Sequence, residues 1–324
     1  MRGLLWIAVL AIAGWSGWWW FASETALKTA QGWFAARQAE GWQAEHGGID
    51  VQGYPNRIDL TIERPAIAPP GGPWGWQAPF VQILSLSYKP WHLIAAFAPE
   101  QRLDTPAGPV LLTADKAQAS LVLVPGTDLA LDRFQFVAEG LGLSGLVDGR
   151  AAHLSLATRP AVGLALAHDL GIEARDIAPS PAFLSRLPPG TVPAQATLVR
   201  LDATLTLSAG LDRHAGRTRP ALTRVILREA RVDWGEIRAF VSGDLVPDAA
   251  GFAAGRLDLR LEGATKALDL AIAAGLVAPD FRASWQSALD SLTPQGEAIT
   301  LPLTLANGAI SLGPLLLGPA PRLR

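Results

Sequence analysis

Nineteen consecutive uncharged residues, Leu4 to Ala22, open the chain and close on the cluster Trp18-Trp19-Trp20-Phe21. A helix rising about 1.5 Å per residue needs roughly twenty such residues to cross a bilayer core of about 30 Å. This run is long enough to span. Tryptophan rings favour the headgroup level, where the indole body keeps apolar surroundings and its N–H reaches water. The only charges before the run are Arg2 and the amino terminus, while Glu24, Lys28, Arg37 and Glu40 after it cancel. The positive-inside bias therefore keeps the amino terminus cytoplasmic and sends the rest of the chain across an inner membrane.

A cleaved secretory signal is the competing reading, and it wants small residues just before the cut. A cut after Ala22 puts Trp20 three residues upstream, and a cut after Ser23 puts Phe21 there. Both rings are too bulky for that position. The expectation is an uncleaved anchor over residues 1–22, with residues 4–22 in the bilayer and a periplasmic body beyond.

Residues 24–46 carry a helical pattern, with Leu27, Ala30, Phe34 and Trp42 near one stripe and polar residues over the remainder. Gly47-Gly48 is its expected stop. A membrane-proximal helix over residues 23–48 then leads into a β-rich domain, residues 49–324.

In that domain the period is two. Ile58, Leu60 and Ile62 alternate with Asp59, Thr61 and Glu63. The same pattern recurs at Leu201, Ala203, Leu205 and Leu207, at Leu257, Leu259 and Leu261, and at Ile299, Leu301, Leu303 and Leu305. Each run is a strand with one dry and one polar face. Asn307-Gly308 supplies a type I′ turn, which needs positive φ at both positions, and Asp148-Gly149 does the same between Leu146-Val147 and His153–Leu156. Thirty-two glycines and twenty-five prolines suit such a chain better than a helical bundle.

The predicted class is mainly β: an extended curved antiparallel sheet or a two-lobed β meander. Pro65 to Pro79 and Pro179 to Pro193 interrupt the strands, the second being a possible lobe boundary. Pro181 to Leu187 has room for two helical turns. A better helix runs from Phe281 to Leu292, with Phe281, Trp285, Leu289 and Leu292 on one face, between Pro279 and Pro294. It reads as a lid on the sheet's dry face.

Chemistry is harder to find. There is no cysteine, which excludes disulfides, thiolate metal sites and a cysteine nucleophile. A net charge of −2 offers no basic surface for nucleic acid. Gly140, Gly142 and Gly145 spell G-x-G-x-x-G, but a dinucleotide loop must open a helix and this one runs into a strand. Those glycines read as bends in a twisted sheet. His46, His92, His153, His168 and His214 lie too far apart in sequence for a local metal pair, and no G-x-S-x-G elbow occurs. Tyr54-Pro55 and Tyr88-Lys89-Pro90-Trp91 set aromatics beside prolines at strand ends, either capping the dry face or forming a rim for an acyl chain.

Several stretches together carry a likeness. They are Gly53-Tyr54-Pro55 leading into Arg57-Ile58-Asp59-Leu60-Thr61, Leu86-Ser87-Tyr88-Lys89-Pro90, Arg231-Val232-Asp233-Trp234-Gly235, and Leu305-Ala306-Asn307-Gly308 with Leu312-Gly313-Pro314. Behind a short N-terminal anchor, this arrangement resembles the family called domain of unknown function 2125, over nearly the whole chain. That family in turn distantly resembles the AsmA-like envelope proteins of Gram-negative bacteria. The resemblance implies an inner-membrane anchor, a curved β-sheet with a greasy groove, and a part in moving lipid. It carries over no active-site residue.

The expectations are a non-enzymatic envelope protein with no catalytic residue, no cofactor and no metal. Its partners are the inner membrane through residues 4–22 and lipid acyl chains on the dry face. Leu201, Leu205, Leu257, Leu259, Leu261, Leu301, Leu303 and Trp285 are the candidate groove or core residues. The alternatives are a structural or assembly factor whose helices seal that face, and a periplasmic hydrolase whose His and carboxylate residues converge from separate strands. Strands of about seven residues span only some 23 Å, so the chain is too short to bridge a periplasm alone.

Overall fold

The computed structural model describes residues 2–145, 148–275, 277–292, 298–313 and 315–323. The fold is mainly β and antiparallel, with a long apolar helix at the N-terminus. It divides into two compact units: Met1–Pro125 with Gln135–Asp148, and Gly126–Phe134 with Gly149–Arg324. The division therefore falls near residues 125, 134 and 149. The Pro179–Pro193 stretch, expected as a boundary, lies inside the second unit, because the two strands it joins are hydrogen-bonded neighbours.

Helix α1 runs unbroken from Arg2 to Ala39, about 57 Å, so the apolar run and the following stripe are one rod. Its end comes earlier than Gly47-Gly48. Gly41 takes a left-handed φ of 82°, its N–H bonds to the Gln38 carbonyl, and the Trp42 N–H reaches back five residues to Arg37. That pair of bonds caps the last carbonyls as a Schellman motif does. Trp42 folds over the end, with the Arg37 guanidinium 5.7 Å from its ring centre. The chain beyond is already strand.

In the first unit the strands are β1 (Gln43–Glu45), β2 (Gly48–Gln52), β3 (Arg57–Glu63), β4 (Ala66–Ala68), β5 (Gly75–Gln77) and β6 (Phe80–Leu86). Next come β7 (Lys89–Phe97), β8 (Glu100–Thr105), β9 (Gly108–Thr113), β10 (Lys116–Leu123) and, from Gln135 onward, β11 (Leu131–Gly145). Their pairings form two ladders, β2-β3-β6-β7-β10 and β1-β4-β5-β8-β9-β11. The pattern is a meander of long strands, each folded once. The folds fall at His46-Gly47, Arg64-Pro65, Ala78-Pro79, Ala98-Pro99 and Ala114-Asp115. Proline cannot donate to a ladder, so it sits where pairing breaks. Small or compact residues let the backbones close up there: Pro65, Ala78, Ala98 and Ala114 are all buried. Backbone bonds stitch the crease, from Arg64 N–H to Pro79 O at 2.8 Å and from Asp115 N–H to Glu139 O at 3.0 Å.

The Gly140, Gly142 and Gly145 triad lies within β11, and Gly140 and Gly145 have positive φ. A Cβ at Gly140 would meet the Asp115 carboxylate at 2.1 Å, and one at Gly145 the Pro109 carbonyl at 2.6 Å. The glycines permit close backbone approach inside a sheet. Leu146-Val147, expected to lead into the Asp148-Gly149 turn, lies outside the described residues.

The second unit is a meander in chain order. It comprises β12 (Gly149–Pro160), β13 (Ala167–Pro179), β14 (Ala196–Leu207), β15 (Leu222–Trp234), β16 (Ile237–Pro247), β17 (Ala253–Glu262), β18 (Ile299–Ala306), β19 (Ala309–Leu312) and β20 (Leu315–Pro319). Asn307 and Gly308, with φ of 54° and 75°, make the β18–β19 turn as the sequence predicts. The short α2 (Pro181–Leu184) is one turn, shorter than the stretch to Leu187 allows, and α3 (Ala215–Thr218) is another. α4 (Ala264–Ala273) carries no prediction from the sequence. A 3-10 turn at Pro279–Phe281 leads into α5 (Arg282–Leu292), the expected lid. Leu268 of α4 and Leu289 of α5 are buried against Ile299 and Leu301 of β18. Pro294 lies outside the described residues.

His168 on β13 pairs across the sheet with Leu205 and is buried, with no hydrogen-bond partner on Nδ1. Burial lowers its pKa, and the charge of Asp169 opposes that only in part. The unfolded chain therefore takes up this proton first, so stability falls as pH drops below the unfolded value of about 6.5. Urea unfolding at pH 7.5 and 5.5 checks this. His168→Gln is expected to flatten the loss across that window, and an unchanged slope would refute the assignment.

Candidate apolar grooves

In the first unit the dry face of β3, β6 and β7 is set in three cross-strand rows. Ile58 stands opposite Ser85, and Ser85 opposite Leu93. Leu60 stands opposite Ile83, and Ile83 opposite Ala95. Ile62 stands opposite Val81, and Val81 opposite Phe97. Facing them is one stripe of α1: Trp18, Ala22, Thr25, Ala26, Thr29 and Trp33, spaced at three and four residues as a single helix face requires. Phe34, 4% exposed, pins the stripe's far end against Ala44, Leu60, Ile62 and Val81. Ile67 and Trp76 from across the crease pack on the same cluster.

Between helix and sheet lies a groove of about 760 Å³. That is within the ~300–1,000 Å³ usual for small-molecule sites. Its lining holds no charged residue, and Ser85, Thr25 and Thr29 are its only side-chain hydroxyls.

At one end of this groove the helix is tied to two turns of the sheet. The Trp15 indole N–H donates to the Pro55 carbonyl at 2.9 Å, that of Trp18 to Ser87 at 3.1 Å, and that of Trp19 to Arg57 at 2.6 Å. Ser16 and Tyr54 share a hydroxyl–hydroxyl bond of 2.8 Å, and the Tyr54 ring meets Trp19 edge-on at 5.3 Å. Trp18 and Trp19, expected from the sequence at the headgroup level, thus tie the helix to the sheet.

A second cavity, of about 590 Å³, lies in the second unit beneath α4 and α5. Leu259, Leu261, Leu301, Leu303 and Trp285 line it, five of the eight residues expected. Leu257 turns instead to a cluster of Leu245, Ala253, Leu305 and Ala320, drawn there by the returning C-terminal segment. Leu201 and Leu205, on β14, are half-buried and line neither cavity. The larger groove was not foreseen. Its signal was in the sequence as two separate patterns, the Ile58-Leu60-Ile62 alternation and the Ala30-Phe34 stripe.

The polar face of the second unit carries a charged cluster. Arg228, the unpaired residue at a register shift in β15, reaches Asp202, Asp169 and Thr204. Burial would raise the Asp169 pKa, but hydrogen bonds from Arg228 and Thr204 and the charges of Arg228 and Arg159 hold it below the usual carboxylate range. Its acid-side contribution to stability is therefore present above about 3.9 and lost below it, well apart from the His168 window. Among the described residues no three His, Asp or Glu side chains gather closely enough to hold a metal.

Residues 19–321 match the family described as "Uncharacterized protein conserved in bacteria (DUF2125)". The chain belongs to this family. No curated protein and no solved structure matches it. The DUF2125 span begins at Trp19, whose indole closes on Arg57, and takes in every strand that lines either cavity.

Proposed function

We propose that this DUF2125 member is an inner-membrane-anchored periplasmic protein that binds lipid acyl chains in the groove between α1 and the β3-β6-β7 face, without catalysis. One observation carries the reading: a wall of that groove is the helix whose N-terminal run is apolar and long enough to span a bilayer. Trp18, Phe21 and Ala22, which end that run, line the groove. The groove therefore starts where acyl chains are. Each methylene that moves from water into such a site contributes about 0.8 kcal/mol, so an uncharged wall favours a chain over any polar ligand.

The experiment is mass spectrometry of lipids retained by the full chain after extraction in mild detergent. Wild type is expected to hold phospholipid that Ile83→Asp has lost, since Ile83 sits at the centre of the middle row. A buried unpaired carboxylate costs several kcal/mol, so circular dichroism must first show that the variant folds. Thr29→Glu, on an exposed helix position of the same groove, provides the same test without burying a charge in the sheet. Equal lipid on wild type and both folded variants would overturn the reading.

A structural or assembly factor is the second reading, favoured by the second unit, where Leu268 and Leu289 already seal a dry face. It gains if wild type retains no lipid.

A further inference from the structure

In the turns Gly53–Arg57 and Ser87–Lys89 the carbonyls of Gly53, Pro55, Asn56, Arg57 and Ser87 are bonded within the protein. The Gly53 carbonyl accepts from Arg57 N–H at 2.8 Å, and the Asn56 carbonyl accepts from both the N–H and the hydroxyl of Ser87. The carbonyls of Pro55, Arg57 and Ser87 each take an indole N–H from α1. A turn that faces water can leave such acceptors to water. A turn that enters an apolar medium must satisfy them internally.

Helix length leads to the same place. These contacts begin at Trp15, so only residues 2–14 of α1 project free of the sheet, about 20 Å. A bilayer core is about 30 Å thick. A span over residues 4–22 therefore puts the levels of Trp15 to Ala22, about 10 Å of helix, inside the membrane together with whatever is bound to them. What is bound there has the surface for it. Tyr54 and Tyr88 are 56% and 52% exposed, and Pro55 and Pro90 are exposed beside them. Lys89, also exposed, has the long stem that lets a charge reach the headgroups from an apolar position, and the Arg57 guanidinium is paired with Asp59 at 3.0 Å.

We infer that these two turns are seated in the bilayer leaflet on the side of the body, so that the groove mouth at Phe21, Ala22 and Pro90 opens at acyl-chain depth. This rests on the anchor reading above. Lipid then enters sideways from the leaflet, without passing through water.

The natural chain has no cysteine, so single-cysteine variants report one site each. Leu10→Cys, Tyr88→Cys, Pro90→Cys and Glu40→Cys in the full chain, all at exposed positions, are labelled with an environment-sensitive fluorophore. Each is reconstituted into phosphatidylethanolamine–phosphatidylglycerol vesicles containing phosphatidylcholine brominated in its acyl chains. Labels at 10, 88 and 90 are expected to be blue-shifted and to lose much of their emission to the bromolipid. The label at 40 is expected to be quenched by aqueous iodide alone. If 10 is quenched by bromolipid while 88 and 90 behave like 40, the turns lie in water and the proposal falls with the anchor intact. If 10 is not quenched either, the anchor reading fails and takes the proposal with it.

Discussion

Replacing Phe34 with alanine is expected to lower the unfolding free energy of the first unit by about 3–5 kcal/mol, the usual cost of deleting a buried aromatic ring. Phe34 touches both ladders of the creased sheet through Leu60, Ile62, Val81 and Ala44, and it meets the ring of His46 at 4.8 Å. Its removal leaves a void that cannot collapse easily, because the helix is tied to the sheet on one side by three indole bonds and on the other by the bond from the Gln38 amide to the Ala44 carbonyl at 2.6 Å. Trp33, one residue earlier, is the control. It is 44% exposed and lines the groove without closing the core, so Trp33→Ala should cost far less stability while widening the groove. Urea unfolding of the full chain in detergent, followed by circular dichroism, separates the two. Similar midpoints for both variants would mean that Phe34 is not the pin.

That asymmetry between neighbours shows what the sequence makes legible. The apolar run, the Asn307-Gly308 turn and the α5 face rest on local rules: length, backbone conformation and a four-residue spacing. The run and the turn are found in the structure at the expected place, as is the helix, but of its expected face Trp285 and Leu289 pack on the sheet while Phe281 is exposed in the 3-10 turn before it. The end of α1 was misjudged because Trp42 continues the helical stripe in spacing while already lying past the cap. Pro65 and Pro79 mark the crease plainly, yet the stretch between them reads as an interruption. Its strands, Ala66–Ala68 and Gly75–Gln77, are too short to show alternation. α4 went unseen because Gly263 gives no side-chain cap to announce it. The site divides the same way. Long leucine alternations drew attention to β14, β17 and β18, whereas the larger groove needs a helix and a sheet whose patterns are complementary only in space.

The Pro179–Pro193 stretch carries the other large effect. Trp234 ends β15 and is buried, with its indole N–H bonded to the Pro193 carbonyl at 2.7 Å and its ring stacked on Phe183 of α2 at 6.3 Å. One side chain thus fastens both ends of a proline-rich connection that has no ladder of its own. Ser180 caps α2 by accepting from Phe183 N–H at 3.1 Å, which holds Phe183 in place for the stack. Gly235 completes the fit, since a Cβ there would meet the Pro193 ring at 2.6 Å. Trp234→Ala is therefore expected to destabilise the second unit by about 3–5 kcal/mol and to free the connection. Trp234→Phe keeps most of the buried ring and loses only the indole bond, so it should cost about 1–2 kcal/mol, the worth of one hydrogen bond with its acceptor left buried. Limited proteolysis supplies the second readout. Cleavage after Arg186, within the connection, should rise sharply in Trp234→Ala and little in Trp234→Phe. If the alanine variant melts with wild type, or if Arg186 stays protected while stability falls, the connection is held by something other than Trp234.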